Sequence, residues 1–160
     1  MIRGALLVFP MTPEKFPKLD GPNPFDSLPP EVVVVAKTTA AWSADLSSWE
    51  LRLRSDGFLA QKRNAHMDGK WQTETRRAYV GSQWVQMFLR RADDLDFWNL
   101  TYEVVIVTTD VGSQSLAIRS GEKWRAWRPE SVYCHAREGH DAAQKFMELW
   151  NLISAQGPLS

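Results

Sequence analysis

The 160-residue chain is 44% hydrophobic, carries 19 basic against 19 acidic side chains, and contains one cysteine. That length suffices to bury about two thirds of the unfolded chain's surface as one domain spanning residues 1–160, and the lone Cys134 excludes an intramolecular disulfide scaffold. Balanced charge excludes a strong overall field drawing the molecule to a polyanion.

The opening apolar run, residues 5–9, is shorter than the roughly 7 to 15 residues of a secretory core. No run approaches the roughly 18 residues needed to cross a bilayer. The expectation is therefore a soluble chain, cytoplasmic by default, with no membrane partner.

Seven of the nine prolines fall between Pro10 and Pro30. Proline fixes φ and removes an amide donor, so residues 10–30 are predicted to be extended and turn-rich. Phe16, Leu19, Phe25 and Leu28 predict that this segment packs on the domain. The four valines 32–35 suit a strand covered on both faces. Trp49, Leu51 and Leu53 then alternate with Glu50, Arg52 and Arg54, the period of a strand with one wet face. Ser55-Asp56-Gly57 signals a hairpin turn, with residues 58–63 returning antiparallel. A second Asp-Gly, at 68–69, precedes another strand at 71–80.

Gly81 and Ser82 open a helix in which Ser82 is the expected N-cap. Over residues 82–95 the stripe Trp84, Val85, Phe88, Leu89, Ala92 and Leu95 repeats at helical spacing. Asp93, Asp94 and Asp96 crowd the end of this helix, where the dipole disfavours negative charge; Arg90 and Arg91 are the expected neutralisers. Residues 101–109 are rich in β-branched side chains and predict a central strand. Residues 114–120 and 123–130 predict a hairpin that Pro129 ends. A last helix at 141–155 carries Phe146, Trp150 and Ile153 inward, begins at His140 and Asp141, and is closed by Gly157 and Pro158. The order predicts an α+β fold: a largely antiparallel sheet of five to seven strands with two amphipathic helices packed on one face.

Residues 132–141 hold Cys134, His135, His140 and Asp141. Their spacing matches no zinc site. On a strand, the neighbours Cys134 and His135 point to opposite faces. No local signature of a catalytic cysteine surrounds them. The expectation is no catalytic residue, no metal and no cofactor, with Cys134 a small hydrophobe at a strand end. A Cys/His-dependent hydrolase centred on Cys134, using His66 or His140 with Asp141, is the enzymatic alternative.

The eight tryptophans are the compositional anomaly. Trp49, Trp84, Trp98 and Trp150 fall on apolar stripes and read as core. Trp124 and Trp127, three apart, cannot share a strand face, whereas Lys123, Arg125 and Trp127 do. Residues 52–91 carry 9 basic and 3 acidic groups, a local surplus that the rest of the chain balances. Arg52, Arg54, Trp71, Arg76, Arg77, Lys123, Arg125 and Trp127 are expected to form a basic aromatic sheet face for an unknown protein partner. The expected function is a non-enzymatic protein-binding module of the inhibitor or immunity kind. The alternative for the same face is stacking bases and neutralising phosphates of single-stranded nucleic acid. On the first reading Arg125→Ala and Trp127→Ala leave folding intact and abolish partner capture.

Overall fold

Two Asp-Gly dipeptides set the register of half the sheet in the computed structural model, which describes residues 23–39, 47–104 and 112–159. Strand β2 (Ser47–Arg54) turns through residues 55–57 into β3 (Phe58–Met67), with Gly57 at φ +92° supplying the left-handed position such a three-residue loop requires. β3 turns through Asp68 and Gly69, at φ +51° and +74°, into β4 (Lys70–Tyr79). Two consecutive positive φ values twist a two-residue turn in the same sense as the flanking strands.

β1 (Val32–Thr39), β5 (Ser113–Ser120) and β6 (Lys123–Trp127) complete one six-stranded sheet in the order β4-β3-β2-β1-β5-β6. Every neighbouring pair is antiparallel. The helices are α1 (Ser82–Asp94), α2 (Val132–Arg137) and α3 (Asp141–Ser154), with a 3-10 turn at Phe97–Asn99. This is an α+β fold, as the alternation of periods predicts. Among the described residues no helix is long and apolar enough to cross a membrane.

The valine run behaves as expected of a strand buried on both faces. Val34 and Ala36 join the larger apolar cluster with Leu51, Leu53, Leu116 and Ile118, and with Val85, Phe88 and Ala92 of α1 and Phe146, Leu149, Trp150 and Ile153 of α3. Val32 and Val35 join a second cluster with Phe25, Ala117 and Ala126, against which Leu28 packs. From Val34 onward alternation along β1 places the clusters on opposite sides of the sheet, and the register shift between Val32 and Val34 lets Val32 join Val35 on the second side. Phe25 and Leu28 thus anchor the described end of the proline-rich segment; Phe16 and Leu19 lie outside the described residues. Arg119 of β5 reinforces that anchor, donating to the carbonyls of Pro30 at 2.7 Å and Val32 at 2.6 Å with its guanidinium 4.7 Å from the Phe25 ring centre.

Several local expectations are corrected. The N-cap of α1 is Gly81, at φ +89°, and Ser82 is the first helical residue without a capping hydrogen bond. Residues 101–104, predicted to begin a central strand, are irregular; the remainder of that prediction, residues 105–109, lies outside the described residues. Cys134 and His135 stand on the short helix α2 and not at a strand end.

Gly57 provides a sharp test of the turn. A Cβ there would lie 2.6 Å from the Gly81 Cα, in a conformation L side chains rarely adopt. Gly57→Ala is expected to lower unfolding free energy by about 3 kcal/mol from combined strain and collision. Gly121→Ala, at φ +62° with nothing within 4 Å, is expected to lose about 1 kcal/mol. Urea midpoints of the two variants check the difference.

Candidate functional site

Directly opposed residues in an antiparallel ladder point to the same side of the sheet. One row runs Arg77, Ala60, Arg52, Val35, Ala117, Ala126 from β4 to β6. The row two residues further along β4 holds Thr75, Lys62, Glu50, Lys37 and Ser115 on the same side. Phe58 and Tyr79 form a pair on that side, Arg54 shares it by alternation along β2, and Trp71 opposite His66 lies towards the β3–β4 turn.

Over β1, β5 and β6 this side is covered by Phe25 and Leu28. Over β2, β3 and β4 it is open, and Lys37 at the boundary is also exposed. Here Lys37, Arg52, Arg54, Lys62 and Arg77 are all exposed, and among the described residues Glu50 is the only carboxylate that the strands place on the same side. Trp71 is 64% exposed, Tyr79 63% and Phe58 52%, unusual values for such rings. The Phe58 and Tyr79 rings lie 4.7 Å apart, and Trp71 meets His66 edge to face at 5.4 Å.

Glu50 neutralises only part of this charge. Its carboxylate takes Lys37 Nζ at 3.0 Å and Arg52 Nε at 2.5 Å. Burial raises its pKa, but the hydrogen bonds and charges of Lys37 and Arg52 outweigh it, and the carboxyl stays below its ordinary range. Arg54 pairs with Asp56 of the turn at 2.6 Å. Among the described residues Lys62 and Arg77 have no ion-pair partner. A shallow depression of about 220 Å³ lies beside Lys37, Glu50 and Lys62, edged by Thr39, Ser48 and Asn64.

The predicted residues are thereby divided. Arg52, Arg54, Trp71 and Arg77 share the open side. Arg76 lies on the other side, in the row of Gln61, Leu51, Ala36, Leu116 and Trp127, and is held by Glu74 at 2.7 Å. Lys123, Arg125 and Trp127 do share a face, as alternation requires, but it is the face of the larger apolar cluster. Trp127 is 3% exposed and packs edge to face on Phe146; Trp124 is the outward indole, at 36%.

Arg125 is 7% exposed. It donates to the carbonyls of Phe97 and, at 2.6 Å, Leu100, and its guanidinium lies 4.5 Å from the Trp127 ring centre. Burial pushes its pKa down to about 10, against a smaller opposing pull from Asp96. It is a clamp on the 3-10 turn and not a surface donor. Lys123 is exposed but occupied, 4.1 Å from the Trp98 ring centre and 3.2 Å from Asp93 Oδ1. The Trp98 indole N–H, at 2.8 Å, and Lys123 together hold the Asp93 carboxyl below its usual range. Lys123, and not Arg90 or Arg91, therefore meets Asp93; Arg91 pairs with Glu148 at 2.6 Å.

On α2, His135 is fully buried and Cys134 is half-buried. His135 Nδ1 lies 2.9 Å from the Ser131 carbonyl, which makes that nitrogen the donor, and its ring stands 4.7 Å from Tyr102 and 5.1 Å from His140. Burial, followed by the charge of Glu130, raises the Tyr102 phenol well above its ordinary pKa. Among the described residues no group of three His, Cys, Asp or Glu side chains is placed to hold a metal.

The open side also gathers Lys37, Lys62, Phe58 and Tyr79, which are not among the residues the sequence singles out. A signal for three of them exists: counting outward from the two Asp-Gly turns sets Arg52 against Ala60, Glu50 against Lys62 and Phe58 against Tyr79. No protein-family model matches the chain, and no curated protein matches it.

The division has two measurable consequences. Arg125→Ala strands the Leu100 carbonyl and leaves the Phe97 carbonyl to the Leu100 N–H alone, so it is expected to cost about 2 kcal/mol. Trp127→Ala opens a cavity and is expected to cost about 3 kcal/mol or more. Arg52→Ala and Arg77→Ala should stay within about 0.5 kcal/mol of the parent in urea unfolding. Glu50 has a depressed folded pKa, so its contribution is present above the unfolded value near 4.5 and is lost as pH falls through the lower folded value. Glu50→Gln should be less stable than the parent by about 1 kcal/mol at neutral pH. That gap should close as acid titrates the parent's carboxylate, which pH-dependent urea midpoints would follow.

Proposed function

We propose that the chain is a non-enzymatic protein-binding module, of the kind that inhibits or neutralises another protein, and that it binds through the open side of β2, β3 and β4. The observation carrying this reading is the pairing of five exposed cations, set against one strand carboxylate, with the exposed rings of Trp71, Phe58 and Tyr79 on the same side. Arginine and aromatic side chains are enriched at interface cores because they combine large apolar area with fixed donors. Lys62 and Arg77 keep their donors available for an incoming carboxylate, since no described acid engages them. The partner's surface is thus acidic with apolar ground between the acids. The same side would also suit a single-stranded nucleic acid, because rings stack bases and cations neutralise phosphates. Zero formal net charge for the whole chain removes the long-range attraction a polyanion usually exploits, which favours a protein.

Immobilised parent protein should retain a defined protein from its native lysate at physiological salt. The paired change Arg52→Glu with Lys62→Glu, and separately Trp71→Ala, should weaken retention at least tenfold, equivalent to about 1.4 kcal/mol, while leaving the circular dichroism spectrum unchanged. Equal retention by parent and charge-reversed protein overturns the proposal. Salt-sensitive capture of a labelled oligonucleotide in preference to any protein assigns the face to nucleic acid instead.

A further inference from the structure

We propose that β4 is a self-pairing edge: two copies of this chain join antiparallel through β4, about a two-fold axis at Thr75, and extend the six-stranded sheet to twelve. β4 ends the strand order, and its pairing with β3 runs from Phe58 opposite Tyr79 to Met67 opposite Lys70 without a shift in register. It contains no proline. Natural sheets usually shorten, bulge or cover such an edge, because it presents a ready ladder of donors and acceptors. Here the ladder is long, regular and unpaired among the described residues.

The Val80 N–H donates to the Gly57 carbonyl at 2.8 Å, so the even-numbered residues of β4 direct their backbone groups at β3. Trp71, Thr73, Thr75, Arg77 and Tyr79 direct theirs outward. Each of these five can donate one bond and accept one across a two-fold axis, which gives ten bonds, five donors from each copy.

Side chains select the register. Two identical antiparallel strands must oppose outward residues to outward residues, so the axis passes through a residue and can move only in single-residue steps. With the axis at Thr75, Glu74 opposes the second copy's Arg76, the reciprocal pair repeats, and Trp71 opposes Tyr79. Glu74–Arg76 falls on the non-hydrogen-bonded positions, where opposed Cα atoms approach to about 4.5 Å and side chains meet closely. Moving the axis to Glu74 sets Glu74 against Glu74. Moving it to Arg76 sets Arg76 against Arg76. Within one copy Glu74 already holds Arg63 at 3.0 Å and Arg76 at 2.7 Å. In the pair it keeps Arg63 and turns its other oxygen to the second copy's Arg76. The Trp71 and Tyr79 rings, both largely exposed, cover one another in the same register.

Sedimentation velocity on the full chain tests this. The parent should approach twice 18.3 kDa as concentration rises. Thr75→Pro removes an outward N–H and leaves pairing with β3 intact, so it should sediment as a single chain with an unchanged circular dichroism spectrum. Glu74→Arg and Arg76→Glu, each alone, set like charges across the seam and should associate at least tenfold more weakly than the parent. Mixed together, those two variants restore opposite charges at both positions and should form a mixed dimer. A parent that remains a single chain, a Thr75→Pro variant that still dimerises, a mixture that stays apart, or assemblies larger than two chains each overturn the proposal. Arg52 and Lys62 stand on β2 and β3, off the seam, so partner capture by the charge-reversed protein is the readout that separates failure of one proposal from failure of the other; Trp71→Ala bears on both.

Discussion

A side chain on a β-strand has two directions available, and nearly everything about this molecule's surface follows from that restriction. Because the two Asp-Gly turns fix where β2, β3 and β4 face one another, choosing the inward side for Leu51 and Leu53 decides the outward side for Arg52 and Arg54. The same choice carries across to Lys62 and Arg77. A one-residue slip would drive those cations towards Val85, Phe88 and Trp150 and turn the leucines to water. The apolar cluster and the cationic side are therefore one constraint seen from its two faces. The surplus of positive charge between residues 52 and 91 is divided in space: Arg52, Arg54, Lys62 and Arg77 share the open side, while Arg63 and Arg76 lie on the other side with Glu74, and Arg90 and Arg91 stand on α1.

Two arginines show that a guanidinium in this fold need not be a recognition group. Arg119 ties residues 29–32 to the sheet through backbone carbonyls and lies over Phe25, while Arg125 performs the equivalent task for the 3-10 turn after α1. Both donate to backbone carbonyls where irregular chain meets a regular element, Arg119 at the entry to β1 and Arg125 at the end of the 3-10 turn. The planar fork of arginine suits this because it delivers several donors in one fixed geometry beside an aromatic ring. What separates these two from Arg52 and Arg77 is solely whether other chain lies across their face.

That distinction explains how much of the fold and of the candidate site is legible in the sequence. Periodicity locates β1, β2, β5, β6, α1 and α3 closely, since each has a strong apolar repeat, and both Asp-Gly turns are recognisable from glycine alone. It also places Lys123, Arg125 and Trp127 on a common face correctly. Which of two faces is wet, however, depends on elements far away in sequence: Phe97, Leu100 and Phe146 close over Arg125 and Trp127. Nothing within residues 123–128 encodes that. The short helix α2 escapes periodicity because its six residues are too few for a helical repeat to show. Asp93 finds its cation on β6, thirty residues away, rather than on its own helix.

The central position of β1 has a consequence for how the chain reaches this state. Its partner on one side, β2, is close in sequence, but on the other side Val34 must find Ile118, a separation of 118 − 34 = 84 residues. Contacts of that range demand loop closure before they return any stabilisation, so they form late and slow the reaction. Until β5 arrives, a four-valine strand is left with an open flank, an adhesive edge. During synthesis that interval lasts at least until residue 118 has emerged from the ribosome, which makes nascent chains, rather than the finished protein, the species most exposed to misassembly.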